Sequence, residues 1–204
     1  MTRSALLVCL CLTVAACSES PKQTAKTAEP EKPAEAVTGL TAFHRMFMTA
    51  RTWAGDVQGL SMRNIPLEQI KAEPGKSGAW EATFVSASKA QAKTFTYSVI
   101  EAGGNLHKDV FAGLAEAWSG PRGQQQLWPI QALKKDSTTA WELALEHSKE
   151  YAAKNRDKPI SFLLEQTPRH PELVWRVIWG ESAARSNYSV LVGASSGTFL
   201  ERLR

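Results

Sequence analysis

Few residues of this chain have the types and spacing that catalytic or ligand chemistry demands. Gly193-Ala194-Ser195-Ser196-Gly197 has the Gly-x-Ser-x-Gly pattern that displays a serine nucleophile on a strand-to-helix turn. Such a serine needs a carboxylate and then a histidine later in the chain. The seven residues after Gly197 include Glu201 but no histidine, so the pattern reads as a Gly/Ser turn between strands. The four histidines are His44, His107, His147 and His170, and no two have the i, i+4 spacing of metal ligands on a helix. Glu142, Glu146 and Glu150 share one helical face, but Lys149 and Lys154 beside them make it a solvated one. Gly103-Gly104 is a hairpin turn, not a phosphate loop. No cofactor or metal site is expected, and no catalytic one.

Cysteine chemistry is confined to the N-terminus. The three cysteines are Cys9, Cys11 and Cys17. Arg3 is followed by an uncharged run, residues 5–16, too short for a membrane span, which needs about 20 apolar residues. The run ends in Val14-Ala15-Ala16-Cys17, which resembles the lipobox of bacterial lipoproteins. That resemblance implies a signal peptide over residues 1–16, cleavage before Cys17, diacylglycerol on its thiol and often an acyl chain such as palmitate on the new amine. Two or three such chains anchor a protein stably. It also implies that Ser18, standing where Asp would retain the protein at the inner membrane, directs it to the outer membrane, facing the periplasm. The mature chain would keep one blocked cysteine, which excludes an intrachain disulfide, a Cys-ligated metal and a thiol nucleophile.

The formal charge of +4 falls to +3 with the loss of Arg3, and no five like charges run together. Nucleic acid is therefore not an expected partner.

Residues 17–38 then comprise the lipidated cysteine and a linker rich in Ser, Pro, Lys, Thr, Ala and Glu, which cannot bury a core. Leu40, Phe43, Phe47, Ala50, Ala54 and Val57 recur at helical spacing between Gly39 and Gly59. Trp80, Ala82 and Phe84 alternate with polar residues, as do Phe95, Tyr97 and Val99, which predicts two strands over 79–86 and 94–100. A connecting region, 109–136, is expected to hold a short helix over 110–118 and a Gln-rich loop. A second helix follows, with Thr139 and Glu142 as its capping box and Trp141, Ala144, Leu145, Ser148 and Ala152 on one face. Strands are predicted at 160–166, 173–180, 187–192 and 198–203.

Two stretches match each other. Trp80 and Phe84 parallel Trp175 and Trp179, Tyr97-Ser98-Val99 parallels Tyr188-Ser189-Val190, and a Trp-bearing helix precedes each set. The fold class expected is α+β, with two similar halves (39–108 and 137–204), each a helix packed on an antiparallel sheet. The pattern leaves open whether the halves share one sheet. The ending Val190-Leu-Val192-Gly193-Ala194-Ser-Ser-Gly197-Thr-Phe199-Leu200 resembles the PepSY domain of secreted bacterial proteins, whose members often carry Asp and Thr where Gly193 and Ser196 stand. The resemblance implies a non-enzymatic module that binds or inhibits a partner protein or peptide. Trp118 and Trp128, outside either half, are the candidate docking residues. An envelope hydrolase using His107 or His170, or an envelope assembly factor, are the alternatives.

Overall fold

The computed structural model describes residues 33–204. The expected signal peptide, Cys17 and most of the linker lie outside the described residues.

Chain order is β1 (Val37–Thr38), α1 (Gly39–Trp53), β2 (Val57–Ile65), β3 (Lys76–Ser77), β4 (Ala79–Ser86), β5 (Gln91–Ser98), β6 (Asp109–Ala117), α2 (Ser137–Glu146), α3 (Lys149–Lys154), β7 (Ile160–Glu165), β8 (Val174–Trp179), β9 (Ser189–Gly193) and β10 (Phe199–Leu203). β1 pairs with β3, and the other eight strands form one antiparallel sheet in the order β10-β9-β8-β7-β2-β4-β5-β6. The fold is α+β. Each half runs from helix into a strand meander, and the halves join where β2 lies antiparallel to β7 through Ser61–Glu165, Met62–Leu164 and Arg63–Leu163.

Alternation along the strands decides which face is buried. Trp80, Ala82 and Phe84 on β4, Phe162 and Leu164 on β7, Trp175, Val177 and Trp179 on β8 and Val190 and Val192 on β9 are all buried in one core. Phe43, Met46 and Ala50 of α1 and Ala140 and Ala144 of α2 close over them. The alternate positions carry polar pairs, including Arg63 with Glu81 at 2.8 Å and Thr83 with Thr94 at 3.0 Å. Glu165 lies among them, and its burial pushes its carboxyl above the ordinary value against the opposing pull of Arg176.

The two helix N-termini meet over the sheet. The Gly39 amide donates to Ser137 Oγ (2.7 Å) and the Leu40 amide to Asp136 Oδ1 (2.9 Å), while Ser137 Oγ donates to the Gly75 carbonyl (2.6 Å). Helix-start N–H groups have no partners within the helix, and here the second helix supplies them to the first. Gly39 permits the approach, because a Cβ there would sit 2.8 Å from the Trp175 ring. The Trp80 and Trp175 rings cross edge to face at 6.2 Å. Each indole N–H donates to the carbonyl two residues before a helix, Trp80 to Val37 (3.1 Å) and Trp175 to Lys135 (2.9 Å).

Several elements differ from the sequence expectation. α1 stops at Trp53 and Val57 opens β2, because Gly55 and Asp56 turn the chain and the Asp56 carboxylate accepts from the Ser86 hydroxyl (2.6 Å) and the Ser88 amide (2.8 Å). Residues 110–118 are not a helix but nearly all of β6, which pairs with β5; the connecting region thus supplies a strand to the first half. Gly113 of β6 fits against the Thr94 carbonyl, 3.0 Å from where a Cβ would stand. The end of the linker is structured: Val37 and Thr38 form β1, and Thr38 caps α1. α2 is capped by Asp136, not Thr139.

Candidate functional site

The catalytic patterns do not assemble. Residues 194–196 form the turn between β9 and β10. There Ser195 Oγ donates to the Ala132 carbonyl (2.6 Å) and Ser196 Oγ to Glu172 (2.8 Å). His107 Nδ1 lies 2.7 Å from Glu101, whose carboxyl is lowered first by the Lys108 amide and then by His107, but the pair is exposed. His170 Nε2 lies 3.4 Å from Glu201, which Arg169 also binds. No serine hydroxyl bonds a histidine among the described residues, and no three His, Cys, Asp or Glu cluster as metal ligands among them.

The two docking candidates separate. Trp128 is 1% exposed and packs on Phe43 at 5.4 Å, so it is a core residue and offers no anchor to a partner. Gly59 makes room for it: a Cβ at that position would fall 2.4 Å from the indole, and Gly59 and Trp128 exchange both backbone hydrogen bonds (3.0 and 2.9 Å). Trp118 is half-buried just beyond β6, its amide donating to the Ala90 carbonyl at 2.8 Å.

A cleft forms instead where the second helix breaks. α2 ends at Glu146, and Ser148 turns inward to share a hydrogen bond with Tyr188 Oη (2.9 Å). α3 then sets the Tyr151 ring flat on Tyr188 at 3.7 Å and edge-on to Trp179. Asn155 Nδ2 donates to the Tyr151 carbonyl (2.8 Å) and closes α3. The chain returns to β7 through Lys158, whose Nζ donates to Tyr151 Oη at 2.9 Å. Trp141, tilted on Trp179 at 5.8 Å, lies beside this lysine.

On one side of Trp141, Lys158 and Ile160 is an apolar pocket of about 510 Å³ reaching Leu145, Ala152 and Trp179. On the other is a pocket of about 340 Å³ walled by the loop 66–75, with Leu67, Ile70 and Phe162 in its lining. Gly78 admits that loop, since a Cβ would come 3.0 Å from Ile70. Leu145, which the helical pattern turns inward, is 38% exposed and opens into the first pocket. The cations lining the two pockets are Lys71, Lys76, Lys149, Arg156 and Lys158; the lining carboxylate is Glu73, bound to Lys76 at 2.6 Å. That contact holds the Lys76 ammonium above its usual value. The other four cations have no carboxylate partner among the described residues.

Sequence reasoning missed this cleft because Lys149 and Lys154 read as part of a solvated helix face. The available signal was an aromatic pair, Trp141 and Trp179, next to a cation-rich segment, 149–158, with the exposed Leu145 between them. No helix among the described residues is long and apolar enough to cross a membrane. No protein-family model, curated protein or solved structure matches the chain.

Proposed function

We propose that this chain is a lipid-anchored protein of the bacterial envelope, held at the outer membrane on the periplasmic side through acylated Cys17, that acts by binding a partner protein or peptide and not by catalysis. The observation that carries the binding role is the cleft beside the α2–α3 break. It sets the exposed Leu145 and the half-buried Trp141 beside Lys149, Arg156 and Lys158, which have no carboxylate partner among the described residues, and such a surface suits a ligand. The anchor rests on the Val14-Ala15-Ala16-Cys17 pattern.

We also propose that the two halves are a duplication of a PepSY-like module. Equivalent strands carry the matched aromatics, β4 with β8 and β5 with the start of β9, and the indole-to-carbonyl bonds of Trp80 and Trp175 fall at the same distance before each helix.

The test is direct. Replacing Cys17 by Ala is expected to abolish metabolic labelling with palmitate and to move the protein from the membrane fraction to the soluble one. A Cys17→Ala variant that still takes up label would end the lipoprotein reading. Crosslinking followed by pull-down from solubilised membranes should recover a discrete partner with the anchored chain.

A further inference from the structure

We infer that the cleft takes an acidic peptide segment that seats one apolar side chain on either side of a carboxylate; this rests on the binding role proposed above. The two pockets are separated by a single ridge, because Trp141, Lys158 and Ile160 line both. A ligand that fills both must cross that ridge beside Lys158. One of its three N–H donors is held by Tyr151 Oη at 2.9 Å, leaving two for a ligand.

Charge decides the sign of the ligand. Lys71 at one end, Lys158 on the ridge and Lys149 and Arg156 at the other end face the cleft without a carboxylate partner among the described residues. Glu73, the one carboxylate in the lining, is already spent on Lys76. A basic segment would be repelled by this rim, and a neutral one would gain nothing from it.

Shape decides between a peptide and a free acyl chain. Arg156 is exposed and Leu145 is 38% exposed, so an alkyl chain laid against them would stay partly in water. Sites for small apolar ligands bury most of the ligand surface. A peptide does not need that: it inserts separate side chains into separate pockets and leaves its backbone hydrated. Two apolar pockets with a cation between them fit apolar, acidic, apolar in succession.

The experiment uses the full chain in nanodiscs of zwitterionic phosphatidylcholine, panned against random peptides displayed on phage. Enriched sequences are expected to carry Asp or Glu between two residues drawn from Leu, Ile, Phe and Trp. For a synthetic peptide of the enriched sequence, Lys158→Glu and Arg156→Glu should each weaken binding about tenfold. Lys89→Glu, on the distant β4–β5 turn, should leave it unchanged. Arg156 is exposed and has no hydrogen bond, ion pair or ring contact among the described residues, so that variant separates binding from folding. Enriched peptides that are basic or uncharged, or that bind both variants as tightly as the parent, overturn the assignment while leaving a peptide-binding role elsewhere on the chain. Phosphatidylglycerol vesicles that displace the peptide as well as an excess of unlabelled peptide does would assign the cleft to lipid and overturn it too. Enrichment of nothing, together with no partner from membrane crosslinking, would remove the binding role itself.

Discussion

The two halves present the same order of elements but cover the sheet differently. In the first, α1 is one unbroken helix whose Phe43, Met46 and Ala50 are buried, and its aromatic contacts with Phe84 and Trp128 leave no gap. In the second, the same stretch is cut into α2 and α3, and α2 buries only the small residues Ser137, Ala140 and Ala144. Beside them Trp141 of α2 and Tyr151 of α3 pack on Trp179, and Tyr151 stacks on Tyr188. Trp141 and Tyr151 are half-buried, whereas Trp179 and Tyr188 are buried. A continuous helix seals a sheet, whereas a broken one leaves a cleft. The half with the poorer lid supplies one pocket of the candidate binding site, and the 66–75 loop of the other half walls the second.

Equivalence at the centre can be tested at its largest expected effect, in Trp80 and Trp175. Each is fully buried and donates an indole hydrogen bond to a pre-helix carbonyl. Replacing either by Ala is expected to cost about 3–5 kcal/mol in urea unfolding. Because the rings touch, the double variant should lose less than the two single losses together. Strictly additive losses, or a separate unfolding step for one half, would break the picture of two matched units sharing one core.

A smaller effect is expected where the helices meet. At Gly39→Ala the new methyl would lie 2.8 Å from the Trp175 ring and 3.1 Å from Ser137 Oγ. Overpacking of this kind costs about 1–3 kcal/mol. Alanine at Gly55, where a Cβ would meet nothing within 4 Å, is the matched control. Similar stability of the two variants would mean that the halves do not depend on this close approach.

The smallest effect sharpens the contrast in electrostatics. Asp56 fixes the α1–β2 turn of the first half, and its carboxyl is lowered from 3.8 to about 2, first by the Ser86 hydroxyl and then by the Ser88 amide. A folded value below the unfolded one means that the ionised form favours the fold. That contribution is full above the unfolded value and is lost as pH falls through about 2. Asp56→Asn should therefore be less stable than the parent at neutral pH, with the difference shrinking between about pH 4 and about pH 2 in circular-dichroism acid titrations. A difference constant with pH would show that the hydrogen bonds of Asp56 do not depend on its charge.

How far the fold was legible depended on whether a segment carries its own pattern. β4 alternates large apolar residues with polar ones, β7 and β8 are short apolar runs bounded by turn residues, and their spans follow from the sequence almost residue for residue. β2 hides because Leu60 is an extra residue in a bulge and Gly59 adds no side chain, so the period of two is lost. β6 hides because four of its nine residues are Ala or Gly, and only pairing with β5 makes it a strand. The cleft was least legible. The helix break that opens it depends on Ser148 meeting Tyr188, a contact across 40 residues that no local pattern announces.

The seam between β2 and β7 has a further consequence, for the order in which the chain folds. Within each half, the sheet is built by strands that follow one another along the chain. The β2–β7 pairing is the exception, joining strands about a hundred residues apart. A chain emerging N-terminus first can complete the first meander while β2 still has one side unpaired. Until β7 arrives, that bare row of amides and carbonyls is open to any passing strand. The most vulnerable moment in the life of this protein is thus the interval between the synthesis of Ile65 and that of Glu165, and whatever holds β2 through it governs how much of the chain reaches its final form.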